Sequence, residues 1–275
     1  MFDSPILVVG STGKIGRRVA RRLRDGGLSV RAGSRRSDPP FDWENPSTWA
    51  PALRGVDSAY VSYYPDLAVP EAPAAIRRFT EVALQEGVRK LVLLSGRGES
   101  NARRSEDIVR DSGLDFTLVR ASWFNQNFDE GQLLEPVLNG VVAMPAAMVR
   151  EPFVDADDVA EVAVAALTDA RHNGQLYEVT GPRLMTFADA VAEIAAASGH
   201  KVEYAPISLE AFRAGMTEAA GPELANLLTE LCREVFDGRN ESVADGVQRA
   251  LGRAPRDFSD FSRAAAAAGA WQRAA

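Results

Sequence analysis

Short apolar runs alternate with amphipathic stretches through the first 120 residues. Residues 5–9 (PILVV) form an apolar run ending at Gly10, the pattern of a strand buried in a parallel sheet. Residues 14–26 follow with Ile15, Val19 and Leu23 on one helical face, stopped by Gly26 and Gly27. Residues 28–33 read as a second strand, so the first 33 residues predict a β-α-β unit with a right-handed crossover. The alternation continues with strands expected at 57–63, 90–94 and 115–119. Helices are expected at 74–85, closed by Gly87, and at 102–110. Strands alternating with helices in this way specify an α/β fold with a doubly wound parallel sheet of Rossmann type.

Beyond residue 120 the pattern loosens. Strands are expected at 141–144, 175–180 and 201–205, and helices at 157–167 and 187–197. Thr186 and Asp189 supply a cap and a first-turn acid for the second of these helices. From Leu209 onward the chain reads as all-helical, with Gly221 and Pro222 opening a helix that runs to Phe236. No internal repeat or flexible linker interrupts it. The expected organisation is a cofactor core over 1–155, with contributions from about 156–182, and a smaller, mostly helical C-terminal substrate lobe over 183–275. The substrate is expected between the two parts.

Composition narrows the class. The chain has 275 residues, 46% of them hydrophobic and 25% charged, which fits a globular protein with a sizeable core. No uncharged run approaches the roughly 18 apolar residues of a membrane helix, and the N-terminus lacks a basic, leader-like region, so a cytoplasmic protein with no membrane partner is expected. A single cysteine, Cys232, excludes an internal disulfide framework, and it reads as buried and inert. The net charge of −7 disfavours nucleic acid as the main partner. The charge is uneven: residues 1–40 carry nine basic and three acidic side chains, so this segment is +6 and the remainder −13. The arginines of the first helix admit a bland reading as its solvated face.

The chemistry is concentrated in two places. Gly10-Ser11-Thr12-Gly13-Lys14-Ile15-Gly16 stands between the first strand and the first helix. Glycines there let the backbone turn tightly and approach a pyrophosphate, while the helix N-terminus offers free N–H groups and partial positive charge. The end of the second strand separates two cofactors. A ribose 2′-hydroxyl calls for an acid there; a 2′-phosphate calls for arginine and small hydroxyl groups. The sequence reads Arg31-Ala32-Gly33-Ser34-Arg35-Arg36 with no acid until Asp38. Arg35 can fork two donors onto a phosphate and Ser34 can add a third, so NADP(H) is the expected cofactor.

The chain resembles the NmrA-like branch of the atypical short-chain dehydrogenase/reductases. The resemblance is carried by GSTGKIG at 10–16, RAGSRR at 31–36, LVLLSG at 91–96, SGLDFTLVRASWFNQNF at 112–128, PFVDADDVAEVAVAAL at 152–167 and YEVTGPRLMTF at 177–187. Within the branch it is similar to NADPH quinone reductases, ergot-alkaloid reductases and azoreductase-like proteins. The resemblance implies that Gly10, Thr12, Gly13, Lys14 and Ile15 touch the phosphates, and that Ser34 and Arg35 hold the 2′-phosphate. It implies that Asp42, after a third strand, lies near the adenine. Ser62, Tyr63 and Tyr64, after a fourth strand, are implied near the ribose and nicotinamide. Ser95 and Gly96 are implied to face the nicotinamide, with residues 120–124 on its other side.

One pattern is missing. Conventional short-chain reductases use a Tyr-x-x-x-Lys pair to protonate the product. Here the lysines are Lys14, Lys90 and Lys201, and none lies four residues after a tyrosine. Where some members of the branch carry a lysine, this chain has Arg103 and Arg104, and arginine is a poor proton donor. Two classes of function survive. One is a reductase passing hydride directly to a quinone, an iminium carbon or a conjugated double bond. The other is a non-catalytic NADP(H)-binding redox sensor acting through a protein partner. Trp43, Tyr63, Tyr64, Trp123, Phe124, Phe128 and Phe153 fall in segments expected near the crevice and suit a flat apolar substrate, although each can also be core. Tyr64, Trp123, Phe124 and Phe153 are the candidate substrate contacts. Tyr64 is the candidate proton donor. Asn127 can orient a carbonyl or carboxamide, or cap a short helix. His172, before Asn173-Gly174, reads as a surface turn residue, and His200 as a helix-end cation. Asp157 reads as the cap of the following helix, and no cluster has metal-ligand spacing. A small-molecule substrate and a monomer or homodimer complete the expectation.

Overall fold

The computed structural model describes residues 4–272. In chain order the elements are β1 (Ile6–Val9), α1 (Lys14–Asp25), β2 (Val30–Gly33), α2 (Trp49–Leu53), β3 (Ser58–Val61), α3 (Ala72–Gln85), β4 (Lys90–Gly96), α4 (Ser100–Arg110) and β5 (Asp115–Ala121). They continue with α5 (Leu134–Leu138), β6 (Val141–Met144), β7 (Arg150–Glu151), α6 (Ala156–Thr168), β8 (Gln175–Val179), β9 (Met185–Thr186), α7 (Phe187–Ser198) and β10 (Glu203–Pro206). Four helices close the chain: α8 (Leu209–Ala220), α9 (Pro222–Val235), α10 (Gly246–Leu251) and α11 (Phe258–Ala267). The chain divides into two compact units. The first comprises residues 1–121, 157–179 and 245–253; the second comprises 122–156, 180–244 and 254–275. They interleave along the sequence.

The first unit is a six-stranded parallel sheet in the order β2-β1-β3-β4-β5-β8. Its central strands are apolar on both faces because helices cover both; β1 and β3 are buried throughout. Leu7, Val9, Trp49, Leu53, Phe79, Leu91, Leu93 and Leu118 belong to one continuous core. The α1 helix buries Ile15, Val19, Ala20 and Leu23, as its periodicity requires. Its arginines are not simply a solvated face. Arg18 and Arg22 pair with Asp157 at 3.3 and 2.9 Å, and Arg22 also reaches Glu161 at 3.3 Å. Arg253 bonds Asp158 at 2.7 Å and also pairs with Glu161. Asp157 therefore lies inside the first turn of α6, spent on α1, rather than capping the helix.

The second unit holds two small sheets, β6 with β10 in parallel and β7 with β9 antiparallel, among its helices. Its core is aromatic: Phe128, Phe153, Phe187, Phe258, Phe261 and Trp271, with the Trp271 indole donating to the Phe128 carbonyl at 2.9 Å. The capping box at Thr186 and Asp189 forms as the sequence predicts, each side chain accepting from the other's backbone N–H. Cys232 is buried in this core, and burial pushes its thiol up to about 12, which leaves it unreactive.

His172 departs from expectation. It is 2% exposed, with Nδ1 2.7 Å from the Tyr177 hydroxyl, and its carbonyl accepts from Thr117. The turn signal at Asn173-Gly174 is real, but the imidazole folds inward under β5 and β8. Burial, aided by Arg171, holds its pKa below the ordinary histidine value.

Two predictions arise here. A Cβ on Gly16 would stand 2.1 Å from the Gly10 carbonyl oxygen, so Gly16→Ala must push α1 off the preceding turn. The expected loss is about 1–3 kcal/mol of stability, read from denaturant unfolding. Unfolded His172 binds a proton that the folded form resists. The stability held by the neutral ring is present above about pH 6.5 and is lost as pH falls towards the depressed folded value. The denaturation midpoint should therefore drop from pH 7 to 5.5, and His172→Gln should flatten that slope.

Candidate cofactor and active site

The β1–α1 turn is built for close approach. Gly10 adopts φ +72°, a conformation costly for any residue with a Cβ. Gly16 lets the first turn of α1 sit directly on the Gly10 carbonyl. The first turn of α1 has no side-chain cap and no acidic residue, so its N-terminal N–H groups and partial positive charge face outward for an anion. Thr12 and Gly13 are exposed in this turn and Lys14 opens the helix, whereas Ile15 turns into the core at 3% exposure. Only the Ile15 backbone is available to a phosphate. Ser62 stands against Gly10: its Cβ is 3.3 Å from where a Cβ on Gly10 would be. The ends of β1 and β3 thus form one edge.

At the end of β2, Ser34 anchors a tight turn. Its N–H donates to Ser37 Oγ at 3.0 Å, its carbonyl accepts from Ser37 Oγ at 2.7 Å and from the Phe41 N–H at 2.8 Å, and its Oγ accepts from the Arg36 N–H at 3.3 Å. Arg35 and Arg36 project into solvent from this turn, with no side-chain partner among the described residues. Arg31 is different: it donates to the Ala52 and Arg54 carbonyls at 2.9 and 2.6 Å and serves structure. A free guanidinium on a fixed turn, with no acid before Asp38, fits a 2′-phosphate.

The strand count before Asp42 needs correction. No third strand precedes it; residues 34–45 form turns and bends after β2, and the third strand of the sheet is β3. Asp42 organises the turn that leads into α2. Its N–H donates to Thr48 Oγ1 at 3.0 Å, its carbonyl accepts from the Trp49 indole at 2.7 Å, and its carboxylate accepts from the Glu44 N–H at 3.1 Å. Ser62, Tyr63 and Tyr64 consequently follow the third strand. Trp43 donates its indole N–H to the Ser62 carbonyl at 3.0 Å and packs on Tyr63, with ring centroids 4.8 Å apart. Burial raises the Tyr63 pKa, with Glu71 and Glu44 adding to it, so Tyr63 keeps its proton. Tyr64, beyond the end of β3, is 65% exposed.

At the ends of β4 and β5 the structure contains a group that the motif reading missed. Glu106, on α4, is fully buried. Ser95 Oγ donates to its Oε1 at 2.6 Å, and Arg120 grips both its oxygens, with Nε 2.9 Å from Oε1. Arg120 Nη1 also donates to Glu178 at 2.7 Å, and Arg97 pairs with Glu178 at 3.5 Å. These contacts raise the Arg120 pKa well above its ordinary value, Glu106 being the largest cause. The signal was present: Ala102, Ser105, Glu106 and Val109 form the buried face of α4, so an acid sits on an apolar helical stripe. Arg103 and Arg104 lie on the exposed face instead. Gly96 is contacted by the Glu99 carboxylate, 1.9 Å from where a Cβ would stand.

The remaining candidates lie in the second unit. Trp123 is half-buried and stacks on Phe236 at 5.2 Å, and Phe124 bridges to Val154. Asn127 ends a 3-10 turn (Asn125–Asn127) and is 8% exposed. Phe153 is core: it is 2% exposed and packs on Phe128, Phe187 and Phe258. Among the described residues no group of His, Cys, Asp and Glu could hold a metal ion, and no helix is long and apolar enough to cross a membrane.

Comparison with known proteins agrees with this construction. Residues 10–170 match a family model described as NAD(P)H-binding. The chain is 32% identical to the (4-alkanoyl-5-oxo-2,5-dihydrofuran-3-yl)methyl phosphate reductase of Streptomyces griseus, over 94% of this chain and 96% of that one. It is 31% identical to the NAD(P)H azoreductase of Xenophilus azovorans, over 96% and 98% of the two chains. Among solved structures, the NADPH-dependent quinone oxidoreductase of Escherichia coli complexed with NADPH superposes with a TM-score of 0.75 at 20% identity, covering 94% of this chain and 98% of that one. With the glycine turn, the parallel sheet and full-length relatives in agreement, the chain belongs to the NAD(P)H-binding oxidoreductase family.

Proposed function

We propose that the chain is an NADPH-dependent reductase that passes hydride directly to an electron-poor aromatic or conjugated small molecule: a quinone, an imine or iminium, or a conjugated C=C. The observation that carries the NADPH assignment is the end of β2, where Arg35 and Arg36 stand unpartnered on the Ser34 turn and no acid intervenes. The cofactor supplies the hydride from its nicotinamide ring. The chain's part is positioning: the uncapped N-terminus of α1 and the Gly10 turn take the pyrophosphate, and Ser34 with Arg35 takes the 2′-phosphate. Acid catalysis is sparse. No lysine accompanies a tyrosine at the spacing that would make it a donor, and arginine does not release its proton. The Tyr64 hydroxyl is the exposed candidate for that role. An acceptor that stabilises its own developing charge suits such a site.

The deciding experiment follows reduced-nicotinamide absorbance with NADPH against quinones, azo dyes, imines and enones, with NADPH binding measured in parallel. Turnover of any class supports the reductase. Tight NADPH binding without turnover across the panel would favour an NADP(H)-binding regulator acting through a protein partner. Arg35→Ala should weaken NADPH about 10- to 100-fold and leave NADH nearly unchanged, since only NADPH carries the phosphate it would pair. Equal losses would refute the assignment. Tyr64→Phe should lower kcat with little change in NADPH affinity; an unchanged kcat removes Tyr64 from the reaction.

A further inference from the structure

Five arginines lie within the twelve residues of α1, and its one acid is Asp25 at the last position. The arginines divide between two faces. Arg18 and Arg22 pair with Asp157, and Arg22 also with Glu161. Arg17, Arg21 and Arg24 are exposed and, at i, i+4 and i+7, stand in line on one face of the helix. Arg21 and Arg24 make no side-chain hydrogen bond or ion pair among the described residues. Like charges three and four residues apart repel, so this row weakens the helix slightly rather than holding it. Packing does not account for it.

The row starts beside the Gly10 turn. At about 1.5 Å per residue, Arg17, Arg21 and Arg24 lie about 5, 10 and 15 Å along the axis from Lys14. Arg35 and Arg36 project from the end of β2, the strand paired with β1. The cofactor assigned to this unit is a polyanion, whose pyrophosphate and 2′-phosphate carry about four negative charges at neutral pH. The protein carries −7 in all, with +6 over residues 1–40 and therefore −13 over the rest. Such a molecule repels a distant anion unless positive charge is gathered where the anion must land. Residues 1–40 gather it around β1, α1 and β2.

Resting on the NADPH reading above, we propose that the exposed row of Arg17, Arg21 and Arg24 on α1 is an electrostatic guide that speeds the capture of the anionic cofactor. It draws NADPH towards the Gly10 turn and touches nothing of the cofactor once bound. Two signatures follow from that role. The Debye length is about 30 Å at 0.01 M salt and about 8 Å at 0.15 M, so all three arginines act at low salt, whereas Arg24 is largely screened at physiological salt. A charge that acts only during approach changes the association rate and leaves the dissociation rate alone.

Stopped-flow binding of NADPH to the full chain, from about 0.01 to about 0.5 M salt, tests the guide. In the parent protein kon should fall as salt rises, opposite to the sign that a net charge of −7 dictates. Arg21→Glu combined with Arg24→Glu should lower kon about tenfold at about 0.01 M salt and less than about twofold at about 0.5 M, with koff and thermal stability unchanged. Arg21→Lys with Arg24→Lys keeps the charge and should keep kon. Arg89→Glu with Arg110→Glu changes the net charge equally, at exposed arginines that precede β4 and end α4, and should leave kon within about twofold of the parent. Should the first Glu pair unfold, Arg21→Gln with Arg24→Gln carries the test, with a loss of about threefold at low salt. A parent kon that rises with salt, a low-salt kon that the Arg21 and Arg24 variants leave unmoved, or an equal loss in the Arg89 and Arg110 variant overturns the guide. A parent protein that binds no NADPH at any salt would instead overturn the cofactor reading, and the first titration separates the two failures.

Discussion

A carboxylate with no solvent contact is a heavy cost unless it is paired and hydrogen-bonded, and Glu106 is such a group. Its compensation comes from one guanidinium. Arg120 reaches Glu106 on a helix and Glu178 on the next strand, while Ser95 supplies a further hydrogen bond. Removing any one member strands another inside the sheet, so β4, β5, β8 and α4 are tied by mutual need at the carboxyl ends of the strands. An apolar core would hold these elements together as well. It would not fix which way a hydroxyl points. Placing ionic groups at a strand edge specifies the polarity of a site, and polarity is what a reductase with few proton donors has to control.

The first unit was largely legible because each of its signals is local. An apolar run of four or five residues, a glycine turn and a helical stripe of Ile15, Val19 and Leu23 lie within 25 residues of one another, and each has a single physical meaning. The capping box at Thr186 was readable for the same reason. The errors fall where the deciding partner is distant in sequence. Asp42 was placed after a third strand, but residues 34–45 fold into turns held by Ser37, Thr48 and Trp49, and no further strand forms between β2 and β3. His172 carries a surface-turn signature, yet its ring is claimed by Tyr177 across the turn and by the space beneath β5. Asp157 sits where a cap would, but Arg18 and Arg22 draw it to α1.

The second unit was harder to read because its core is made by aromatic residues widely scattered in sequence. Phe128, Phe153, Phe187 and Phe258 meet only after folding, so Phe128 and Phe153 read as crevice walls as much as core residues. Phe153 went to the core and Trp123 stayed half-exposed, a difference no spacing rule could supply. Glu106 was missed for the opposite reason. It lies on a recognisable stripe, but an acid on a buried helical face carries no motif. Only the register of β4, β5 and β8 brings Ser95, Arg120 and Glu178 beneath it.

The distribution of protons ties these features to the proposed chemistry. Hydride arriving at a neutral acceptor leaves negative charge that a proton must neutralise, and conventional short-chain reductases keep a tyrosine ready for it. Here Tyr63 holds its proton more tightly than an ordinary tyrosine, the Ser95 proton is committed to Glu106, and the arginines at the edge of β4 and β5 do not give theirs up. Guanidinium groups can still stabilise charge as it develops, which lowers the barrier without a proton transfer. Such a site works best on acceptors that delocalise the incoming charge over a conjugated frame or carry a positive charge beforehand, and that take any proton from water afterwards. Selectivity then depends on the acceptor's electronics and on ring-on-ring fit rather than on a dedicated acid.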